Sequence, residues 1–386
     1  MPPPARGGQP PAIASTSATV RALDRYLERA VAEGASDLHL EPHGAGLRVR
    51  IRVDGRLRAL DPPPPSMTEQ LLTRARLLAR VDLSERRLPQ DGRFALDTCG
   101  ERVDVRAAFV PVHGGEKVTL RLLGRRSRPP ALSDLGLPAA DRRVIEGELE
   151  HADGLLVVVG PTGSGKTTTL YAALNYLARP DVCAVTVEDP VERDLPDVAQ
   201  IAVDEDCGRT FAAALRAILR HDPDIIMVGE MRDTRSASIA CRAALTGHRV
   251  LTTLHTADTR EALVRLADMG VADYLVHATV RLVLGQRLLR CACDACHRRR
   301  CPSAAEKAVF IRCGLEVPDA VAEPIGCERC GGAGYRGRRA VFEVLDRRGA
   351  GSGSTPRRSL MAAGLTAAAA CETSVAEVLA VCPQPS

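Results

Sequence analysis

The 386-residue sequence predicts an α/β protein: a P-loop domain on a mainly parallel sheet, a smaller α+β domain before it, and a tetracysteine insertion after it. Three observations carry this prediction. A short β-branched run, residues 155–159, passes through Gly160-Pro161-Thr162-Gly163-Ser164-Gly165-Lys166-Thr167 into a segment with Leu170, Leu174 and Leu177 on one helical face. From about residue 140, short apolar runs alternate with helical patterns, as βα units of a parallel sheet do. Finally, Cys293-x-x-Cys296 and Cys327-x-x-Cys330 are two knuckles with the spacing of a structural zinc site.

Taken in order, residues 1–16 are Pro, Gly, Ala and Ser with little to bury, which predicts a disordered lead-in. Val20, Leu23, Leu27, Ala30 and Val31 mark a helix that Gly34 ends. Two alternating stretches follow, 37–41 and 47–53, and the second puts Arg48, Arg50 and Arg52 on one face of a strand, opposite the core. Asp54-Gly55 is a hairpin signal. A helix over 68–81 and strands around 103–105 and 118–122 complete a first domain, 17–128, with a linker at 129–140. The second domain, 141–290, has predicted strands at 155–159, 183–187, 225–228 and 250–254, and helices at 166–177, 211–220 and 236–245. Residues 291–345 form the cysteine insertion and the return to the second domain. Residues 346–386 read as a Gly/Ser linker (350–356) and a helical tail over 360–380.

Composition excludes several classes. No apolar run approaches the ~18 residues that span a bilayer, and the Pro/Gly-rich start has no signal-peptide core, so a cytoplasmic protein is expected. A net charge of +4, 3% aromatics and no Trp give no case for nucleic-acid binding. The thirteen cysteines suggest metal rather than disulfides in a chain of this size. Cys291, Cys301 and Cys313 lie near the knuckles and leave the ligand choice open, while Cys99, Cys183, Cys207, Cys241, Cys371 and Cys382 read as small buried hydrophobes.

The P-loop implies nucleoside triphosphate binding. Gly163 and Gly165 let backbone N–H groups close on the phosphates, Lys166 reaches the β/γ-phosphates, and the Thr167 hydroxyl is a Mg²⁺ ligand. Each later strand of the domain carries acid or histidine at its C-terminal end: Glu188, Asp189 and Glu192, then Glu230, then His255. A nucleotidase needs one acid for the metal, another to orient water and a polar group near the γ-phosphate.

These stretches resemble the secretion ATPase superfamily. GPTGSGKTTTLY (160–171) is similar to its Walker A, TVEDPVE (186–192) to its Asp box, LRAILRHDPDIIMVGEMRD (215–233) to its Walker B and TGHRVLTTLHT (246–256) to its His box. The pattern is most like the type II secretion and type IV pilus assembly ATPases, the general secretion pathway protein E group. SDLHLEP (36–42), RLPQDGR (87–93), HGGEKVTLRLL (113–123), LGQRLLR (284–290) and GYRGRRAVFEVL (334–345) extend the resemblance over residues 20–345. It implies a RecA-like ATPase domain in a hexameric ring, with ATP between the two domains. Domain motion on hydrolysis would then drive pseudopilin or pilin assembly through partners at the inner membrane. The resemblance also makes Glu230 the Walker B acid, gives the Asp box one water-polarising carboxylate, and makes His248 and His255 the His-box histidines. Arg52, Arg106 and Arg121 become candidates to reach the γ-phosphate, and the tetracysteine insertion fits the assembly branch. There are departures: residues 1–19 alone precede the matched region where the family has a docking domain, Ala257 replaces a common asparagine, and Ala107-Ala108 a common Ser-Thr. Alternative readings are a DNA-uptake motor or a scaffold that binds nucleotide without turnover.

Overall fold

The structure is a computed structural model that describes residues 18–98, 100–123, 130–348 and 356–383. The expected lead-in, Cys99, residues 124–128 of the first domain, position 129 of the linker and 350–355 of the Gly/Ser stretch lie outside the described residues. The chain forms two compact units, Met1–Arg126 and Ser127–Ser386.

In the first unit, α1 (Ala18–Ala32) and α2 (Thr68–Ala79) accompany six strands: β1 (Asp37–His43), β2 (Gly46–Val53), β3 (Arg56–Leu60), β4 (Gln90–Thr98), β5 (Glu101–Val112) and β6 (Gly115–Leu123). They form one antiparallel sheet in the order β3-β2-β1-β6-β5-β4. Leu23, Leu27, Leu71 and Ala75 of the helices pack with Leu38, Leu40, Val49, Ile51, Phe109 and Leu120 of the strands into one core. The opposite face is charged, as the alternation predicts, but it is not simply solvated. Asp37, His39 and Glu41 are only 5%, 8% and 7% exposed, because long cationic side chains lie over them. Asp37 pairs with Arg121 at 3.0 Å and Arg52 at 3.8 Å. Glu41 pairs with Arg50 at 2.7 Å, Lys117 at 3.1 Å and Arg48 at 3.4 Å. Burial opposes the Glu41 carboxylate, but Arg50 and Lys117 outweigh it and hold its pKa down at about 2.

The strand register places Arg52, Asp37, Arg121, Arg106 and Arg93 directly opposite one another across five adjacent strands. The sequence shows Arg52, Arg106 and Arg121 as separate candidates; the sheet puts them in one row, adds Arg93, and ties Arg52 and Arg121 to Asp37.

The second unit contains α3 (Ala139–Glu150), β7 (Gly154–Val159), α4 (Lys166–Leu177), β8 (Ala184–Glu188), β9 (Ala199–Ala202), α5 (Phe211–Ile218), β10 (Ile225–Val228), α6 (Thr234–Leu245), β11 (Arg249–Leu254), α7 (Thr259–Asp268), α8 (Asp273–Thr279) and β12 (Val280–Ala292). The chain then makes β13 (Arg298–Arg300), α9 (Ala304–Arg312), β14 (Val321–Glu323), β15 (Tyr335–Asp346), α10 (Leu360–Ala369) and α11 (Val375–Val381). The main sheet runs β15-β12-β7-β11-β10-β8-β9, parallel except where β15 joins β12. All six residues of β7 are buried, which explains its unbroken apolar run. Hydropathy hides β12 and β15, because Gln286, Arg287, Arg290 and Glu343 interrupt their apolar residues. The tail is two helices rather than one; Cys371, at φ 59°, sits between them.

The cysteine insertion is not a free-standing element. Val309, Phe310 and Val321, all between the knuckles, are buried with Leu289, Val341 and the tail residues Leu360, Leu365, Val375 and Val378. The insertion therefore shares an apolar core with the tail. Ser303 caps α9, its hydroxyl accepting from the Glu306 N–H while Glu306 accepts from the Ser303 N–H.

Candidate functional site

The C-terminal edge of the parallel sheet gathers the chemistry. Val159 of β7 lies beside Leu254 of β11, and Thr252, Val228 and Val187 align across β11, β10 and β8. The P-loop, His255, Glu230 and Glu188–Asp189 therefore leave or end neighbouring strands at one level, where open α/β sheets bind ligands. Gly160 and Gly165 have to be glycine. A Cβ on Gly160 would sit 2.6 Å from the Gln286 carbonyl oxygen, and one on Gly165 would sit 2.9 Å from Gln286 Nε2, while both residues have positive φ (154° and 89°). α4 starts at Lys166, so its free N–H groups and dipole face the loop. Ser164 is 3% exposed, and its hydroxyl has no hydrogen-bond partner among the described residues. An orphaned hydroxyl in a glycine cradle at a helix N-terminus fits a phosphate group. Thr167, next to Lys166, offers its hydroxyl for Mg²⁺.

Lys166 donates to the carbonyls of Gly160 at 2.9 Å and Pro161 at 3.0 Å. Burial, joined by the nearby Arg287 charge and opposed by Glu230 and Glu192, pushes its pKa down from 10.5 to about 8. Bound phosphates would favour the ammonium and raise that pKa again, so binding takes up a proton between the two values. Mg–ATP affinity should be flat below about pH 8 and weaken up to about tenfold per pH unit above it. In the same window the nucleotide-free protein should gain stability with pH from this lysine, because the unfolded chain there binds more protons. Calorimetric titration at pH 7 and pH 9, in buffers of different ionisation enthalpy, reads the proton; equal affinity at both pH values would contradict the shift.

Glu230 is flanked by two polar partners. Arg232 makes a close ion pair with it and reaches Asp189 at 3.1 Å, and His255 Nε2 lies 3.6 Å from its other oxygen. Burial and the Lys166 ammonium lower the His255 pKa, with Glu230 opposing, so the imidazole is neutral at pH 7. Glu188 lies in a different environment. It is 2% exposed and accepts from Tyr171 Oη in a close hydrogen bond, from Thr186 Oγ1 at 2.6 Å and from Gln200 Nε2 at 3.0 Å. Burial and this carboxylate push the Tyr171 pKa well above the usual phenol range. Glu192 is exposed, and its charge is felt at Lys166.

One residue grouped with the site on sequence lies elsewhere. His248 precedes β11 and His255 follows it, so at ~3.3 Å per residue they are roughly 20 Å apart. His248 Nδ1 lies 3.0 Å from the Ala243 carbonyl and 3.3 Å from Thr246 Oγ1, and its own carbonyl accepts from Gly154 at the start of β7. It braces the N-terminal edge of the sheet, away from its own chain's P-loop.

Sequence reasoning missed three residues here. Arg232 lies inside the Walker B stretch, and Gln286 and Arg287 lie inside LGQRLLR. Gln286 accepts from Thr169 of α4 at 2.7 Å and lies against the P-loop. The available signal was polar residues in an otherwise apolar strand, since a buried polar residue must have partners.

The four cysteines form a separate cluster. Their sulfurs all lie within 4.8 Å of one another, with Cys293–Cys327 and Cys296–Cys330 at 3.9 Å and Cys327–Cys330 at 3.8 Å. A tetrahedral Zn²⁺ with ~2.3 Å bonds requires sulfurs about 3.8 Å apart. The N–H groups of Gly326, Cys327 and Gly334 donate to Cys296 and Cys330 sulfurs at 3.2–3.3 Å, as amides around a metal-bound thiolate do. Among the described residues Cys291, Cys301 and Cys313 are outside the cluster. Of the cysteines read as buried, Cys241, Cys371 and Cys382 are buried, but Cys183 and Cys207 are exposed: one precedes β8 and the other sits in the Asp204–Arg209 turn.

The chain is 40% identical over 331 residues to putative type II secretion system protein E of Escherichia coli (strain K12), covering 86% of this chain and 67% of that protein. It is 41% identical over 338 residues to type IV pilus assembly ATPase PilB of Myxococcus xanthus (strain DK1622), covering 86% and 59%. It thus spans about two thirds or less of the length of these relatives. Its fold is similar to a crystal structure of the pilus retraction motor PilT with bound ADP, with a TM-score of 0.58, 28% identity, and 85% and 83% of the two chains covered. The model of the type II/IV secretion system protein family matches residues 13–363. A P-loop core with this acid and histidine constellation, matched over most of its length, places the chain in the type II/IV secretion system protein family.

Proposed function

We propose that this chain is the Mg²⁺-dependent ATPase motor of a type II secretion or type IV pilus assembly machine, working as a hexamer. The observation that carries the reading is the convergence of Glu230 and His255 on Lys166 at the end of the sheet, with Asp189 tied to Glu230 through Arg232. In the proposal, residues 160–167 hold the triphosphate, Thr167 and Glu230 hold Mg²⁺ directly or through water, and the ion neutralises charge between the β- and γ-phosphates. Glu192, exposed beside Lys166, orients the attacking water. Glu188, already committed to Tyr171, Thr186 and Gln200, acts as a positioning residue for that acidic loop. Arg232, paired with both, bridges Asp189 and Glu230. Arg52, Arg106 and Arg121 are assigned to the γ-phosphate in the assembled ring; four of the five residues in their row are arginines, the side chain best suited to phosphate. The names of the relatives include both machines. Among the described residues no helix is long and apolar enough to cross a membrane, so attachment to the inner membrane from the cytoplasmic side is assigned to partner proteins of the platform.

Replacing Glu230 with Gln tests the reading. The variant keeps the pocket's shape and loses one charge, so it should bind Mg–ATP like the parent and release phosphate about 10²–10³-fold more slowly. Parental turnover by Glu230→Gln, measured at equal protein concentration, would remove Glu230 from the reaction.

A further inference from the structure

Arg287 occupies the middle of β12 and is 6% exposed. Its guanidinium donates to two carbonyls, of Gln286 at 2.9 Å and of Ala257. No carboxylate pairs with it directly among the described residues; Glu343, Asp258 and Glu261 act on it only through space. Glu343 is already engaged, accepting from the N–H and hydroxyl of Thr259 at 3.1 and 2.6 Å and from the Leu360 N–H at 3.1 Å. Above the guanidinium lies the phosphate loop: a Cβ on Gly160 would be 3.2 Å from Arg287 Nη1. Arg287 is close enough to Lys166 to help lower its pKa, and burial lowers both pKa values. Two buried cations this close suit a polyanion in the loop. Ala257 follows His255 by two residues and precedes the start of α7, so the same guanidinium that underlies Gly160 also holds the strap carrying His255. The bond is to a backbone carbonyl, which alanine provides as well as any residue.

We propose that Arg287 is a positioning residue that couples occupancy of the P-loop to the placement of His255, and that its charge strengthens triphosphate binding from beneath the loop. The inference rests on the nucleotide reading above. It assigns two separable tasks to one side chain. The charge acts on affinity, and a lysine can supply it. The planar fork spans two carbonyls, and an ammonium cannot do that with the same geometry.

Arg287→Met and Arg287→Lys, made in the full chain, separate these tasks. Equilibrium titration with a fluorescent ATP analogue and Mg²⁺, phosphate release at fixed protein concentration, and thermal midpoints with and without Mg–ATP are measured together. Arg287→Met should bind about tenfold more weakly, keep its nucleotide-free midpoint, and lose most of the midpoint rise on adding Mg–ATP. Arg287→Lys should recover affinity to within about threefold and still turn over about tenfold more slowly than the parent. A merely structural arginine would instead lower the nucleotide-free midpoint and leave affinity alone. A folded Arg287→Met variant with parental affinity would overturn the charge role, and Arg287→Lys with parental turnover would overturn the coupling. If Arg287→Met does not fold, the arginine is structural by that measure, and the lysine variant's turnover decides whether it also couples. A parent protein that binds no Mg–ATP would refute the nucleotide reading itself, a result distinct from any of these.

Discussion

Lys166→Ala should abolish Mg²⁺-dependent phosphate release and weaken ATP binding at least about a hundredfold. The size of the effect follows from what surrounds the ammonium. It is the mobile cation of the loop, hydrogen-bonded to the Gly160 and Pro161 carbonyls, with a helix N-terminus directly behind it. Those carbonyls hold the ammonium within the loop, where it supplies charge once a nucleotide displaces them. Alanine removes that charge and leaves the two carbonyls without their donor, which makes the loss larger than that of a single charge-assisted hydrogen bond. The fold should survive, because the substitution removes a buried charge from a helix whose Leu170, Leu174 and Leu177 stay packed in the core. Equilibrium binding with a fluorescent nucleotide and a phosphate-release assay check both parts; turnover within tenfold of the parent would remove the loop from the mechanism.

The second large effect concerns the four cysteines. Protein purified without chelator should contain one Zn²⁺ per chain, and Cys296→Ser should lose it. Binding free energies for such sites run to roughly 10 kcal/mol or more, so the local structure that depends on the metal should go with it. The structure limits how far this spreads. The amides of Gly326, Cys327 and Gly334, which donate to sulfur, should lose hydrogen-exchange protection. The α9 segment around Phe310 should keep most of its protection, since it is buried against Leu289 and the tail helices rather than against the knuckles. ATP binding should be unchanged. Absence of zinc with all four thiols freely titratable would end the assignment, and loss of protection at Phe310 equal to that at Gly334 would show that metal, not the shared core, holds the insertion.

Much of the second unit was legible in the sequence because local chemistry and fold agree there. A β-branched run, a glycine loop and an i, i+4, i+7 leucine stripe admit one arrangement, and α4 begins at Lys166 as the pattern requires. What escaped is what depends on distant partners. β12 reads as a mixed segment because Gln286, Arg287 and Arg290 are made tolerable by Thr169, by the Ala257 carbonyl and by Glu377, each far away in sequence. Asp37 and Glu41 alternate like surface residues and are buried because arginines from other strands cover them. His248 and His255 share one short motif, yet an extended strand between them carries them to opposite edges. Spacing in sequence measures distance only when the secondary structure between is known.

The shared core of insertion and tail has a consequence for synthesis. During translation Cys330 leaves the ribosome well before Leu360 to Val381, the residues that cover Phe310. The nascent chain thus completes its four thiols while its greasy counterpart is still unmade. A metal captured by the four thiols would hold the two arms of the insertion together during that interval, and the tail then closes over them, locked by the Arg290–Glu377 pair and the Tyr335–Ser374 hydrogen bond at 2.6 Å. Until that closure Phe310 and its neighbours are uncovered, whatever the state of the cysteines.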